Sequence, residues 1–248
     1  MVEYVTGGRR VAAGRALEWI PAGWELYKKQ VGMWIVLGVL TFALFFVPVF
    51  IPIVGAVISI LVRPLVAAGV LVAARTVDEG QELQVEHLFA GFRTKLVPLA
   101  TIGATVLAAE LPFMLLAAHL TGVSVLAMVG YGVEAGDLWL ALRVLLAFMI
   151  VRVLMLPMAL AATFAPALVM FHDKKAWVAM KESFAGCVLN ILPLVVYFLI
   201  SLLLGLIAVL TCGLGWLVLW PVLCSAYYVS YKDIYFRGGW NAAEAQTR

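Results

Sequence analysis

The chain has 248 residues, of which 65% are hydrophobic and only 12% charged, with a mean hydropathy of +1.07. That is more apolar surface than one soluble core of this size hides, which excludes an ordinary water-soluble domain and leaves lipid as the solvent for the surplus. The net charge of +3 follows from where the basic residues cluster along the chain, so nucleic acid is not read as a partner.

In chain order, the first thirty residues carry Arg9, Arg10, Arg15, Lys28 and Lys29 without the short apolar core and small-residue cleavage site of a signal peptide, so the first span is expected to be retained. Apolar runs of the roughly 20 residues that cross about 30 Å of hydrocarbon follow at residues 31–52, 54–77, 96–120, 138–171, 190–211 and 214–235. The run Leu202-Leu203-Leu204-Gly205-Leu206-Ile207 has none of the alternation of a transmembrane barrel. The expectation is an all-α polytopic bundle of about six transmembrane helices in a single membrane domain. The run at 138–171 exceeds one span and is expected to bend near Pro157.

Fourteen of the seventeen Lys and Arg residues fall in the N-terminal segment, the second and fourth connections and the tail, and the other three connections have none. By the positive-inside rule, the basic side is the cytoplasm of a bacterial inner membrane, with both termini there. The connection from His119 to Asp137 contains the apolar stretch 123–129, too short to span and expected at the opposite interface. Cys187, Cys212 and Cys224 are odd in number and lack CxxC spacing, as small buried residues do.

Shifting the chain by 95 residues aligns it with itself. Asp78 falls on Asp173, Phe89-Ala90-Gly91 on Phe184-Ala185-Gly186, and Leu96-Val97-Pro98-Leu99 on Ile191-Leu192-Pro193-Leu194. A weaker copy starts at Trp24-Glu25-Leu26-Tyr27, and Pro64, Pro157 and Pro221 lie in every second span. The units are residues 11–77, 78–172 and 173–236, followed by a tail at 237–248. Each reads as a cytoplasmic amphipathic helix plus a transmembrane hairpin. The amphipathic stripes are Leu17, Ile20, Trp24, Tyr27 and Val31; Val85, Leu88, Phe89, Phe92 and Leu96; and Trp177, Met180, Phe184 and Val188. Asp78 and Asp173 are expected to cap the second and third. Trp24, Phe89, Trp177 and Phe184 form the candidate face for a partner or for the membrane surface. Gly69 with Ala73, Ala104 with Ala108, and Ala161 with Ala165 have the spacing of close helix contacts.

Ionisable residues inside a bilayer cost roughly 2.5 to 3.5 kcal/mol each and need a reason. Four stand there: Arg63, Glu110, Arg143 and Arg152. Arg63 and Glu110 lie at similar depth and are expected to pair, with Arg143 near the outer interface. The surplus of guanidinium suits a small anion or an anionic lipid headgroup, while the structural alternative is a buried Arg63 to Glu110 bridge. His87, His119 and His172 lack metal-ligand spacing, and no nucleophile elbow, phosphate-binding loop or dinucleotide fingerprint occurs. No catalytic residue, metal or cofactor is expected.

The segments Phe164-Ala165-Pro166-Ala167-Leu168-Val169, His172-Asp173, 176–184, Asn190-Ile191-Leu192-Pro193 and Tyr231-Lys232-Asp233-Ile234-Tyr235, with Gly23-Trp24-Glu25-Leu26 and Leu88-Phe89-Ala90-Gly91-Phe92, resemble an uncharacterised family of proteobacterial inner-membrane proteins. The resemblance spans nearly the whole chain and implies a six-helix topology with no assigned reaction. The functional expectation is a non-enzymatic membrane protein that handles a small anionic solute or lipid, or forms the membrane part of a transporter. The alternative is a scaffold that recruits a protein partner, or a second copy of itself, through its amphipathic helices.

Overall fold

The computed structural model describes residues 3–51, 54–122, 138–211 and 213–240, and is helical throughout its described elements. The stretch 123–129 and Cys212 lie outside the described residues. A 3-10 turn, Ala13–Arg15, leads into α1 (Ala16–Lys29), which stops at Gln30 and hands over to α2 (Val31–Phe46). The two axes enclose 106°. A second 3-10 turn, Val47–Phe50, precedes the central helix α3 (Val54–Asp78), which packs against α1 and most of the helices that follow it. The short α4 (Val85–Leu88) and α5 (Ala90–Thr94) lead into α6 (Leu96–Thr121). The long run beyond residue 137 becomes α7 (Leu138–Leu154), α8 (Leu156–Thr163) and α9 (Ala165–His172), bent by 51° between Leu154 and Leu156. Pro157 and Pro166 sit in the first turns of α8 and α9, where a missing N–H is tolerated but the preceding helix cannot continue through the ring. The chain closes with α10 (Ala176–Leu189), α11 (Ile191–Leu210) and α12 (Trp216–Tyr235).

Three helices, α3, α6 and α11, are long and apolar enough to cross a membrane, or up to five segments if each bent pair is one span. The sixth run, α12, is not among them. Its second half carries Ser225, Ser230, Lys232, Asp233 and four tyrosines, and that half is almost wholly buried. By contrast, only 17% of the most apolar window of α6 and of α11 is buried within the protein, against 44% for α3. The large side chains Leu199, Leu202, Leu203, Leu206 and Leu210 of α11 face outward, as they do on a lipid-facing helix.

The three junctions between a short helix and a long apolar one share a conformation. Gln30 (φ −148°, ψ 54°), Lys95 (φ −135°, ψ 37°) and Asn190 (φ −120°, ψ 31°) each break the helix for one residue. Each carbonyl then accepts the N–H four residues on, from Trp34, Leu99 and Leu194 at 3.1–3.2 Å. Their side chains also act alike. Gln30 donates to the Gln81 carbonyl (2.6 Å) and accepts from the Leu83 N–H (2.7 Å), Lys95 binds Asp173, and Asn190 accepts from the Val11 N–H (2.7 Å) and donates to the Arg9 carbonyl (2.8 Å). The segments held, 81–83, 173 and 9–11, are the approaches to α4, α10 and α1.

Three local expectations need correction. The helix over 85–96 is broken at Phe89 (φ −93°, ψ 5°) into α4 and α5, because Gly91 in α5 must approach the Leu65 carbonyl of α3. Asp78 and Asp173 are not N-caps. Asp78 ends α3 and accepts from Lys232 (2.7 Å) and Tyr228 (3.1 Å), and Asp173 closes α9 in the left-handed region (φ 53°) with its carboxylate on Lys95. Of the small-residue pairs, Gly69 does lie at a close contact, where a Cβ would come 1.9 Å from the Leu88 carbonyl oxygen, but Ala104 and Ala108 are exposed. Their neighbour Gly103 makes the close contact, a Cβ there meeting the Leu61 Cα at 2.9 Å.

The stripes read from large residues on α1 and α10 turn out to be mostly the outward faces, whereas in the second stripe Leu88 is buried and Val85, Phe89 and Phe92 are half-buried. On α10 the buried residues are Ala176, Ala179, Met180, Ser183, Gly186 and Cys187, while Trp177, Phe184 and Val188 are exposed. On α1, Ala16, Trp19, Ala22, Gly23, Leu26 and Tyr27 are buried, while Leu17, Trp24 and Val31 are exposed. Helices in lipid pack through small residues that let backbones approach, and the bulky apolar ones lose nothing by facing out.

Candidate functional site

Glu110 sits in the middle of α6 and is 9% exposed, a burial that an isolated carboxylate in an apolar setting does not tolerate. Its partner is Arg152 of α7, whose Nη2 lies 3.1 Å from Glu110 Oε1. Arg152 also stacks over the Phe148 ring at 4.7 Å, a cation–π contact that spreads the cost of placing a guanidinium there. The expected Arg63 to Glu110 bridge is therefore replaced by Arg152 to Glu110. α7 runs alongside α6 and sets Arg152 against Glu110, and the chain bends by 51° just after it.

Arg63 of α3 lines the same space. α3, α6 and α7 enclose a cavity of about 350 Å³ with Arg63, Glu110 and Arg152 on its wall, the remainder being chiefly Ile60, Leu107, Leu111, Met114, Val144 and Phe148. Among the described residues Arg63 has no ion-pair partner. The cavity thus holds one internally neutralised pair and one further guanidinium. Arg143 is not part of it. Nine residues before Arg152, or about 13 Å along α7, Arg143 lines a separate space of about 220 Å³ between α6 and α7 with Phe113, Leu116 and Leu120.

Trp24, Phe89, Trp177 and Phe184 do not form one face. Trp24 lies on α1 beside Tyr27 (ring centroids 5.3 Å apart), Phe89 is half-buried at the break between α4 and α5 against Phe92, and only Trp177 and Phe184 share a helix. The last two border a space of about 280 Å³ between α8 and α10 together with Lys181, which lies 5.5 Å from the Trp177 ring.

A second polar constellation, at the basic end, was not singled out from the sequence. Asp233 in α12 is completely buried. Its carboxylate accepts from Trp19 Nε1 (2.9 Å), Arg15 Nε and Nη2 (3.1 and 3.0 Å) and Arg9 Nη2 (2.9 Å), while Arg9 Nε reaches its carbonyl (2.8 Å). The hydrogen bond to Asp233 raises the Arg15 guanidinium above its ordinary value against the opposing effect of burial. Residues 3–9 run as a strap along the end of α12, with the Val5 and Arg9 N–H groups on the Tyr235 and Ile234 carbonyls and the Arg237 N–H on the Glu3 carbonyl. Tyr4 closes the strap on α10, its hydroxyl donating to Glu182 (2.7 Å), which Lys174 also grips at 2.5 and 2.6 Å. Burial pushes the Glu182 carboxyl up, and the bonds from Lys174 and Tyr4 outweigh it and hold it below the usual carboxylate range. Burial and the bond to Glu182 together drive the Tyr4 hydroxyl well up, so it stays a proton donor. The sequence signal was only that Lys232-Asp233 ends an apolar run and that Arg9 and Arg15 precede the first one.

These contacts gather the basic segments at one end: Arg9 and Arg15 on Asp233, Lys95 on Asp173, Lys174 on Glu182, and Lys232 on Asp78. Among the described residues no three His, Cys, Asp or Glu side chains converge as metal ligands would. Comparison with protein-family models, with curated proteins and with solved structures gives no match.

Proposed function

We propose that the chain is a non-enzymatic integral membrane protein that binds an amphipathic anion, of the anionic-lipid class or a small anionic solute, in the cavity between α3, α6 and α7. One observation carries the reading. Arg63 adds an uncompensated guanidinium to an otherwise apolar cavity whose acid, Glu110, is already paired with Arg152. A guanidinium recognises phosphate or carboxylate through paired hydrogen bonds, and apolar walls accept the rest of such a molecule. A volume of about 350 Å³ lies in the range of ligand pockets.

In this reading six spans form three units, each an interfacial helix plus a hairpin, with the basic end and both termini in the cytoplasm of a bacterial inner membrane, as the family resemblance implies. The matched junctions at Gln30, Lys95 and Asn190, and the cyclic order in which they hold the next unit's approach, support the threefold arrangement. The 106° angle between α1 and α2 supports α1 as a helix lying along the interface.

The test is lipid retention. The full chain is placed in nanodiscs containing phosphatidylglycerol and phosphatidylcholine, and bound lipid is counted by native mass spectrometry. Arg63→Leu leaves the Arg152 to Glu110 pair intact and is expected to cut the preference for phosphatidylglycerol at least tenfold. An unchanged preference in Arg63→Leu removes the proposal. A second reading, a scaffold that recruits a protein, is favoured by the exposed Trp177 and Phe184. A stoichiometric partner that is lost in Trp177→Ala would support it.

A further inference from the structure

A further space belongs to neither constellation. It lies between α2 and α12, measures about 580 Å³, and is walled by Gly38, Thr41 and Phe45 of α2, and Trp216, Leu217 and Trp220 of α12, with Phe42 and the turn at Gly213 and Leu214 completing it. Among the described residues no charged side chain is on the wall. An ion would be stranded there, so the space selects an uncharged occupant.

The polar chemistry of this seam is unusual. Thr76, Thr94, Thr101, Thr105, Thr121 and Thr163 all bond their hydroxyls to the carbonyl four residues back, at 2.8 to 2.9 Å, which is how a helix in lipid satisfies a threonine. Thr41 does not. It is 4% exposed, its Oγ1 is buried without a hydrogen-bond partner, and it lines the cavity. Two turns back on the same face of α2, the Trp34 indole N–H is also buried without a partner. Trp34 is off the wall of the space, and the Thr41 hydroxyl, which can donate as well as accept, is the buried, unpaired polar group on it among the described residues, free to donate to an acceptor. The aromatic rings on the wall offer π-faces, which take a flat ring in offset or edge contact. Gly38 keeps one wall flat, since a Cβ there would already touch the Trp220 ring at 3.4 Å.

We infer that the space between α2 and α12 is a binding site for an uncharged, planar, lipid-soluble carbonyl compound of the quinone type, with a ring between Phe45, Trp216 and Trp220 and a carbonyl oxygen accepting from Thr41, whose hydroxyl, closed off without the ligand, turns into the space on binding. A buried hydroxyl left unbonded is costly, and such a ligand relieves that cost on binding.

The wall supplies the readout, because a quinone quenches the fluorescence of a tryptophan it touches. The full chain in phosphatidylcholine nanodiscs is titrated with decyl-1,4-benzoquinone, with decylbenzene as the probe of equal shape that lacks carbonyls. Saturable quenching is expected, about tenfold weaker binding in Thr41→Val, near-native binding in Thr41→Ser, and none in Gly38→Leu, which fills the space. Decylbenzene, followed by its competition with the quinone, is expected to bind weakly and equally to wild type and Thr41→Val. Quenching that rises without saturation and is the same in all four proteins overturns the site. Decylbenzene competing as well as the quinone itself overturns the carbonyl recognition.

Discussion

Replacing Asp233 by Asn is the most direct probe of how the basic end is held. The change keeps the side chain's shape and withdraws one negative charge from a completely buried position to which Arg9, Arg15 and Trp19 all donate. Removing one partner of a fully buried ion pair costs about 3 to 5 kcal/mol. Here the two arginine side chains are 34% and 27% exposed, so water recovers part of their charge and the expected cost falls to about 2 to 3 kcal/mol. The amide can still accept from Trp19 but offers an N–H towards a guanidinium. The loss should appear locally, because the strap of residues 3–9 and the start of α1 depend on this carboxylate. At 1.36 kcal/mol per decade, opening of the strap should become roughly 30- to 150-fold more frequent. Limited trypsin digestion of the detergent-solubilised chain, followed at Arg9, Arg10 and Arg15 by mass spectrometry, measures it directly. Cleavage in Asp233→Asn at the wild-type rate, with an unchanged melting temperature, would show that the buried carboxylate does not hold the strap.

Glu182 provides a pH test. Its folded carboxyl titrates below its unfolded value, so its contribution is present above the unfolded pKa of about 4.3 and is lost as the pH falls through the folded value. The melting-temperature difference between wild type and Glu182→Gln should therefore be full at neutral pH and shrink progressively as the pH falls below the unfolded value, and a difference independent of pH would contradict the assignment. Neighbouring small residues separate contact from exposure: Gly103→Ala should destabilise by about 1 to 3 kcal/mol through its clash with Leu61, while Ala104→Leu should change stability by less than about 0.5 kcal/mol. Equal thermal shifts in the two variants would mean that α3 and α6 do not meet at Gly103.

Composition and the spacing of Lys and Arg were enough to read an all-helical membrane chain with its basic segments gathered at one end, because lipid imposes length and apolarity on each helix separately. The bend near Pro157 was legible because proline acts along the chain, whereas the one-residue breaks at Gln30, Lys95 and Asn190 were not, since the apolar stripes run on through Val31 and Leu96. Of the candidate site, the sequence marked Arg63, Glu110 and Arg152 as costly, but not which arginine meets Glu110. Depth along a helix is a one-dimensional quantity, and which helix neighbours which is not. Both α3 and α7 pack on α6, and only the packed geometry sets Arg152 against Glu110 while Arg63 lines the shared cavity without an ion-pair partner among the described residues. The same limit hid the Asp233 cluster, whose members lie more than two hundred residues apart. It also inverted the amphipathic stripes. In water a large apolar residue marks the buried face, but in lipid both faces are apolar, and only packing reveals that α10 meets its neighbours chiefly through alanine, glycine and serine, and that Trp19 of α1 is buried while Trp24, Trp177 and Phe184 look outward.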